Sequence, residues 1–476
     1  MVYMKRFLLT LLLAGVVCFF LYAEEGEEAW DEVPVMEGEG LTFTEEAPPG
    51  GEIQAVGTQE TTQQIAVIDQ EEIARRQAAD LPALLEEVLD AGITRYGAYG
   101  NAAQVNLRGF DGKRVAILIN GIPANSPRTG DFDFSTIDIN SIDRIEVIYG
   151  GSDTKYNVSG ALGGVINIIT VKKQESGLRW GGGFSSTSYF PGSYNETGGA
   201  VHGARWQDLA DTQMLSLFLG YGAAPYSLSI NWFGNRAANH YLYEDYYGYA
   251  RRKEHNEIWD TGLRASLVRD LPNRGALLVS GNLYYGDRNF PVTGTSNEAV
   301  NQDDFKSSGD LILDLPRIFR DDLAVEASLS HSFVQTVYGD TAPRRDNYLT
   351  GINRWSWYPA AFMALKAGID ARFVHVNAVS GADENHYNGG LYFAVDFQPV
   401  QQFLAAVSVK GVSDGHDTAL IPKLGFVWKP AGSFTLKNNY FRSFRFPSFD
   451  ELYWSEPNNK YRGNPDLLSE DGAGAD

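Results

Sequence analysis

The chain of 476 residues holds a single cysteine, Cys18, and that residue lies inside an apolar run near the N-terminus. If that run is removed on export, no disulfide or thiolate chemistry remains to the rest of the chain. The seven histidines are scattered, with no pair at metal-ligand spacing, and no Gly-x-Ser-x-Gly elbow occurs. No catalytic constellation is visible, so an enzyme is not expected. Basic residues are also short, 39 against 60 acids, for a net charge of −21. A surface so acidic repels phosphate, which argues against nucleic acid as a partner. Beyond Ala23 no apolar stretch is long enough for a membrane-spanning helix.

The first 23 residues have the layout of an export signal: Lys5 and Arg6, then an apolar run from Phe7 to Ala23. An uncleaved anchor is the alternative. From 24 to 52 the composition changes abruptly, with eleven acids between Glu24 and Glu52 and no Lys or Arg. Such a segment stays solvated rather than forming a core.

Residues 53–172 read as a small mixed α/β domain. Asp69 followed by Glu72 predicts a capped helix through Arg76, and a second helix starts near Asp80 with Pro82 in its first turn. Strands are expected at Ile93–Tyr96, Val105–Leu107, Val115–Ile119, Arg144–Tyr149 and Gly164–Thr170. Asn120-Gly121, directly after "VAILI", is a favoured hairpin turn. Gly150, Gly151, Gly163 and Gly164 mimic nucleotide-binding glycines, but Gly163-Gly164 leads into a strand rather than a helix N-terminus.

From 173 to 476 the helical period gives way to alternation. Leu323, Val325, Ala327 and Leu329 share one face, with Glu326, Ser328 and Ser330 on the other. Leu391, Phe393, Val395 and Phe397 repeat the pattern, as do Leu424, Phe426 and Trp428. Proline-bearing turns such as "DLPNRG" and "QPVQQ" alternate with longer polar loops. In an exported chain this predicts a transmembrane β-barrel of antiparallel strands, with about 14 of them present. A soluble sandwich or β-helix is the alternative pattern.

Two stretches carry a specific resemblance. "VNLRGFDGKRVAILINGIPAN" and "SIDRIEVIYGGSDTKYNVSGALGGVINIIT" resemble the plug domain of TonB-dependent outer-membrane receptors, of the cobalamin and siderophore type. "FRFPSFDELY" and "GNPDL" resemble barrel boxes of the same family. Three positions depart from its pattern: Asn120 replaces the usual Asp, Tyr149-Gly150-Gly151 replaces Arg-Gly-Pro, and Asn157 replaces a Gly.

The resemblance implies a barrel with an N-terminal α/β plug in its lumen, in the outer membrane of a Gram-negative-type bacterium. It further implies capture by a TonB-type inner-membrane protein of a short extended box ahead of the plug, a form of strand addition. Val33, Pro34, Val35 and Met36 are the favoured box, and Leu41–Thr44 the alternative. The cargo expected from the resemblance is a large scarce ligand, cobalamin in the first place, with a ferric siderophore as the alternative. A passive pore or adhesin and a non-functional receptor fragment are the competing readings. Haem is disfavoured because no histidine lies between Phe446 and Gly463.

By position along the motif, the plug's apex loops are Gly97–Ala103 and Asn125–Asp133. Tyr99, Asn101, Arg128 and Thr129 are therefore the expected ligand contacts. Tyr241, Tyr243, Tyr246, Tyr247 and Tyr249 form an aromatic loop suited to a ring ligand or to a membrane girdle. No cofactor is expected, with calcium on Asp131, Asp133, Glu244 and Asp245 as the one exception considered. The family closes its barrel with about 22 strands. The final residues therefore read as a turn, an acidic pair and a Gly/Ala run at which a longer receptor breaks off.

Overall fold

The computed structural model describes residues 62, 64–78, 80–88, 92–95, 99–150, 161–171, 173–188, 210–239, 241–244, 250–253, 255–291, 299–377, 383–431, 434–454 and 462–475. All of them belong to one unit, Gly40–Asp476. The export signal, the acidic segment and both box candidates lie outside the described residues, as does Asn157.

The first domain starts with strand β1 (Ile65–Asp69) and helix α1 (Gln70–Arg76). Asp69 caps the helix by accepting from the Glu72 amide at 2.8 Å, and Gln77 ends it in the left-handed region at φ 51. Helix α2 (Leu81–Val88) is capped by Asp80, whose Oδ1 accepts from the Ala83 amide at 2.8 Å, and it buries Leu81, Leu84 and Leu85. A hairpin of β2 (Gly92–Arg95) and β3 (Ala103–Asn106) follows. The main sheet takes β4 (Val115–Ile119), β5 (Ile122–Pro123), β6 (Arg144–Tyr149) and β7 (Gly164–Ile169) in the order β1-β6-β7-β4-β5. Asn120 and Gly121 turn β4 into β5 with φ 51 and 80, the both-positive geometry for which Asn-Gly is selected.

Asn120 does what an aspartate could do only in part. Its Oδ1 accepts from the Thr170 amide at 2.9 Å while its Nδ2 donates to Thr170 Oγ1 at 3.0 Å. The Tyr149 departure is also absorbed locally: the Arg108 guanidinium stacks over the Tyr149 ring at 5.0 Å. At Gly164 (φ 133) an added Cβ would lie 2.5 Å from the Ile148 carbonyl, so the strand pairing itself demands glycine.

The second part is a 14-stranded antiparallel sheet. Its strands are β8 (Gly177–Thr187), β9 (Thr212–Ala223), β10 (Tyr226–Ala237), β13 (Ile258–Asp270), β14 (Ala276–Pro291), β15 (Ala299–Leu315) and β16 (Leu323–Tyr338). They continue with β17 (Arg344–Ala360), β18 (Met363–Asn377), β19 (Asp383–Val400), β20 (Phe403–Ser413), β21 (Thr418–Ala431), β22 (Phe434–Arg445) and β23 (Glu470–Ala475). A separate hairpin, β11 (Tyr241–Glu244) with β12 (Ala250–Lys253), stands between β10 and β13. Among the described residues no helix is long and apolar enough to cross a membrane.

Burial in this sheet is inverted relative to a soluble fold. Leu391, Phe393, Val395 and Phe397 are exposed, while Tyr392 and Ala394 between them are buried. Leu329 is exposed and its neighbour Ser330 is buried. Exposed apolar stripes facing outward, over a polar inner face, are the lipid-facing pattern of a barrel wall.

The tail departs from its sequence reading. Glu470–Ala475 is a strand and not a loose run, paired with β22 from Arg445↔Glu470 to Tyr440↔Ala475. Arg442 grips Asp471 at 2.8 and 2.5 Å, and Arg445 grips Glu470 at 3.1 and 2.8 Å. Gly474 offers the clearance that the Phe441 ring requires, since an added Cβ there would sit 2.6 Å from the ring. Two cross-strand ion pairs and a ring over a glycine thus make a strand from residues of low β-propensity.

Strand connections are brief at one rim (224–225, 271–275, 316–322, 361–362, 401–402, 432–433). At the other they include 188–211, 238–257 and 446–469. Near the short-turn rim Ile122 and Val171 pack with Val268, Leu278 and Ile312, so the first domain sits in the lumen against the wall.

Candidate functional site

The plug meets the long-loop rim through its two apex loops, and three polar clusters hold them there. The first is built on Arg128. Its side chain is 8% exposed and pairs with Asp346 of β17, Nε to Oδ2 at 2.8 Å and Nη2 to Oδ1 at 2.5 Å. Nη2 also donates to the Asn377 carbonyl at 2.8 Å. The 446–469 connection carries a short helix, α3 (Phe449–Tyr453), that folds onto this loop. Phe449 N donates to the Pro127 carbonyl at 3.0 Å and Asp450 N to the Arg128 carbonyl at 2.9 Å. The plug loop thereby satisfies amides at the helix start that have no partner within the helix.

Charge around α3 is unevenly satisfied. Burial would raise Glu451, but hydrogen bonds from Arg445 and the Ser448 amide overcome it and hold the carboxyl at about 2. At Asp450 burial wins over Arg128 and Arg344, pushing the carboxyl up to about 6, and its Oδ1 is buried without a hydrogen bond. A raised acid contributes stability that is full below its unfolded value and is lost as pH rises through about 6. Amide exchange at Phe449 and Asp450, corrected for intrinsic rate, is therefore expected to be several-fold slower at pH 5 than at pH 7.5. His386, whose ring meets Phe449 edge-on at 5.7 Å, belongs to a residue type that also titrates near this range. Asp450→Asn isolates the aspartate, and the difference should vanish in that variant.

The second cluster centres on Asp133. Its Oδ2 accepts from Arg288 at 3.0 Å and from Lys306 at 2.6 Å, while Oδ1 accepts from Ser135 Oγ at 2.6 Å. Burial alone would raise this carboxyl, but the two cations hold it far below the usual range. The third cluster holds Tyr99. Asn235 Nδ2 donates to its hydroxyl at 2.7 Å, and Asn239 Nδ2 donates to its carbonyl at 2.9 Å. Burial and the nearby Asp260 keep the phenol protonated well above its ordinary range.

A fourth contact ties the plug to the β22–β23 hairpin. Arg114 reaches Glu470 at 2.8 and 2.6 Å, and the same carboxylate takes Arg445.

The expected ligand contacts divide accordingly. Arg128 and Tyr99 are committed to the wall, whereas Asn101 and Thr129 are half-buried loop residues. Thr129 Oγ1 accepts from the Asp131 amide at 3.3 Å. Asp131 accepts from Gln104 Nε2 at 3.0 Å, and burial raises its carboxyl. Asp131 and Asp133 are thus each engaged by protein donors, and among the described residues no group of three or more His, Cys, Asp or Glu is placed to hold a metal. Tyr241, Tyr243 and Glu244 lie on β11, with only their backbone described. Asp245, Tyr246, Tyr247 and Tyr249 lie outside the described residues. Sequence reasoning missed Asp346, Arg288, Lys306, Asn235 and α3. The one available signal was that each wall residue is a polar side chain on the lumen-facing parity of its strand.

Residues 57–165 match the TonB-dependent Receptor Plug Domain family, and residues 179–474 match the TonB dependent receptor-like β-barrel. A stretch of 130 residues is 35% identical to the vitamin B12 transporter BtuB of Vibrio cholerae serotype O1, covering 27% of this chain and 21% of that protein. The match thus spans about a fifth of that relative's length. A variant of the ferric enterobactin receptor PfeA from Pseudomonas aeruginosa superimposes with a TM-score of 0.67 at 14% identity, over 86% of this chain and 68% of that one. The siderophore receptor PirA from the same organism gives 0.64 at 16% identity, over 86% and 70%. At such identities these structures establish the fold alone. With both family matches covering most of its length, the chain belongs to the TonB-dependent receptors, a family of receptors and transporters rather than enzymes.

Proposed function

We propose that this chain serves energy-coupled uptake of a large, scarce ligand across the outer membrane, with cobalamin as the favoured cargo. The family and the barrel fold indicate a Gram-negative outer-membrane protein. The observation that carries the uptake reading is the plug itself. It is a separately folded domain with its own apolar core, yet it is fastened to the wall at the long-loop rim by polar bonds. The apolar contact of Ile122 and Val171 with Val268, Leu278 and Ile312 is small beside the plug's own core, so a domain held in this way can be shifted as a unit. Movement needs work from outside, and a TonB-type partner gripping the segment before residue 53 would supply it.

Cobalamin is favoured by the 35% identity to the B12 transporter. On this reading Asn101 and Thr129 face the ligand, and Tyr99 and Arg128 set the height of their loops. The tyrosines from Tyr241 to Tyr249 also suit an aryl iron chelate, which supports a ferric siderophore as the second reading. Calorimetric titration of the protein in detergent, with cyanocobalamin and separately with a ferric catecholate, tests the assignment. Saturable heat with cyanocobalamin alone is expected. Binding of the catecholate alone would transfer the assignment to siderophores, and binding of neither by a protein with a folded plug would contradict the uptake reading. Repeating the titrations with calcium and with a chelator tests whether Asp131, Asp133, Glu244 and Asp245 contribute through a cation.

A further inference from the structure

We propose that Tyr284 is a positioning residue that couples the plug's two apex loops through the barrel wall, so that neither loop shifts without loosening the other. It rests on the reading of both loops as the ligand face, although the coupling itself can be measured with no ligand present.

The side chains form an unbroken path. From the first loop, the Tyr99 hydroxyl accepts from Asn235 Nδ2 at 2.7 Å, and the same amide donates to Asp260 Oδ1 at 2.8 Å. Asp260 Oδ2 lies 3.5 Å from the Tyr284 hydroxyl. From the turn that directly follows the second loop, Ser135 Oγ lies 3.1 Å from that hydroxyl, and Arg288 Nη2 of the wall donates to it at 2.8 Å. Arg288 Nη2 also reaches Asp133 Oδ2 at 3.0 Å and Ser135 Oγ at 2.7 Å. Asp260, Tyr284, Asn235 and Arg288 are all buried, with Asp260 at 0% and Tyr284 at 1% exposure. Solvent cannot replace a partner that moves away, so a broken link strands a polar group at full cost.

Tyr284 is where the two arms compete. Its phenol has one proton and two acceptors, the Asp260 carboxylate on the Tyr99 arm and Ser135 Oγ on the Asp133 arm. Ser135 commits its own proton to Asp133 at 2.6 Å, and Arg288 fills the acceptor side of the phenol. Displacing either loop therefore changes which bond the phenol makes and alters the hold on the opposite loop. That is a two-arrangement element biased from both ends, the physical requirement for coupling between sites. The ring also has contacts that do not use its hydroxyl: it packs near Phe233 at 6.4 Å, and the Lys306 ammonium sits 5.4 Å from its centroid. Phenylalanine at this position therefore removes the switch and keeps the packing.

Hydrogen–deuterium exchange on the full chain in lipid nanodiscs tests the proposal. Asp133→Asn should speed exchange of amides 99–103 by about fivefold or more, and Tyr99→Phe should speed amides 131–135 by a matching factor, since coupling is reciprocal. In a Tyr284→Phe background each change should still affect its own loop but no longer the remote one. The amides of Ile166 and Ile168 report global unfolding of the plug, and a remote effect counts only where it exceeds any change they show. Asn235→Ser, which cuts the path at a different link, should abolish the remote effects in the same way. Remote effects that are absent in the parent chain, or that persist in the Tyr284→Phe background, would overturn the proposal. Failure of cyanocobalamin to bind would count against the cargo assignment and leave this result standing.

Discussion

Replacing Arg128 with alanine is expected to weaken the seating of the plug by about 3–5 kcal/mol. The size follows from what is left behind. The Asp346 side chain is 6% exposed and, among the described residues, would be left with the Tyr348 hydroxyl, 3.0 Å away, as its hydrogen-bonding partner. An uncompensated buried carboxylate is among the few changes that cost this much. The Asn377 carbonyl and the Phe449 ring, 5.7 Å from the guanidinium, would lose their cation as well. Proteolysis of the plug across a urea series measures the loss directly. Arg128→Met combined with Asp346→Leu should recover most of it, because replacing a buried pair together avoids the stranded charge. If Arg128 instead served only a ligand, the alanine variant would bind more weakly at unchanged stability.

Asp133→Asn is expected to cost about 2–3 kcal/mol, since Arg288 and Lys306 both lose their carboxylate. The distance of 3.8 Å from Arg288 to Asp304 tempers the penalty. The pH dependence has a defined sign. Asp133 is held below its ordinary value, so its contribution is fully present above the unfolded carboxylate pKa of about 3.9 and is lost as pH falls below it. Urea midpoints compared at pH 7 and pH 3 should show a step in the parent chain that is smaller in the asparagine variant. Asp450 has the opposite sign: acid tightens the α3 contact as pH falls from about 6 towards the unfolded carboxylate value of about 3.9, and the Asp133 contact loosens only below that value.

The barrel was legible because lipid imposes a periodicity of two on every strand, visible in Leu391, Phe393, Val395 and Phe397 without any partner being known. Val115–Ile119 and Arg144–Tyr149 were legible because their apolar runs end at Asn120-Gly121 and Gly150-Gly151. The seam was not legible. Arg128 and Asp346, or Asp133 and Arg288, are joined by docking of the plug against the wall, and no sequence spacing encodes which wall residue a plug loop will meet. Arg128 accordingly reads as a ligand contact on an apex loop although it is buried against Asp346. The strand at Glu470–Ala475 was missed for a related reason: Gly472 and Gly474 carry no β-propensity, and the stabilising arginines, Arg442 and Arg445, belong to the preceding strand.

If work delivered to the segment ahead of the plug moves it, loss of that segment must separate uptake from binding. The most direct measurement compares cyanocobalamin uptake and cyanocobalamin binding in cells carrying the parent chain and a chain deleted for both Val33–Met36 and Leu41–Thr44. Uptake should be lost while binding is unchanged. Uptake at the parental rate after both deletions would contradict energy coupling and favour a passive pore.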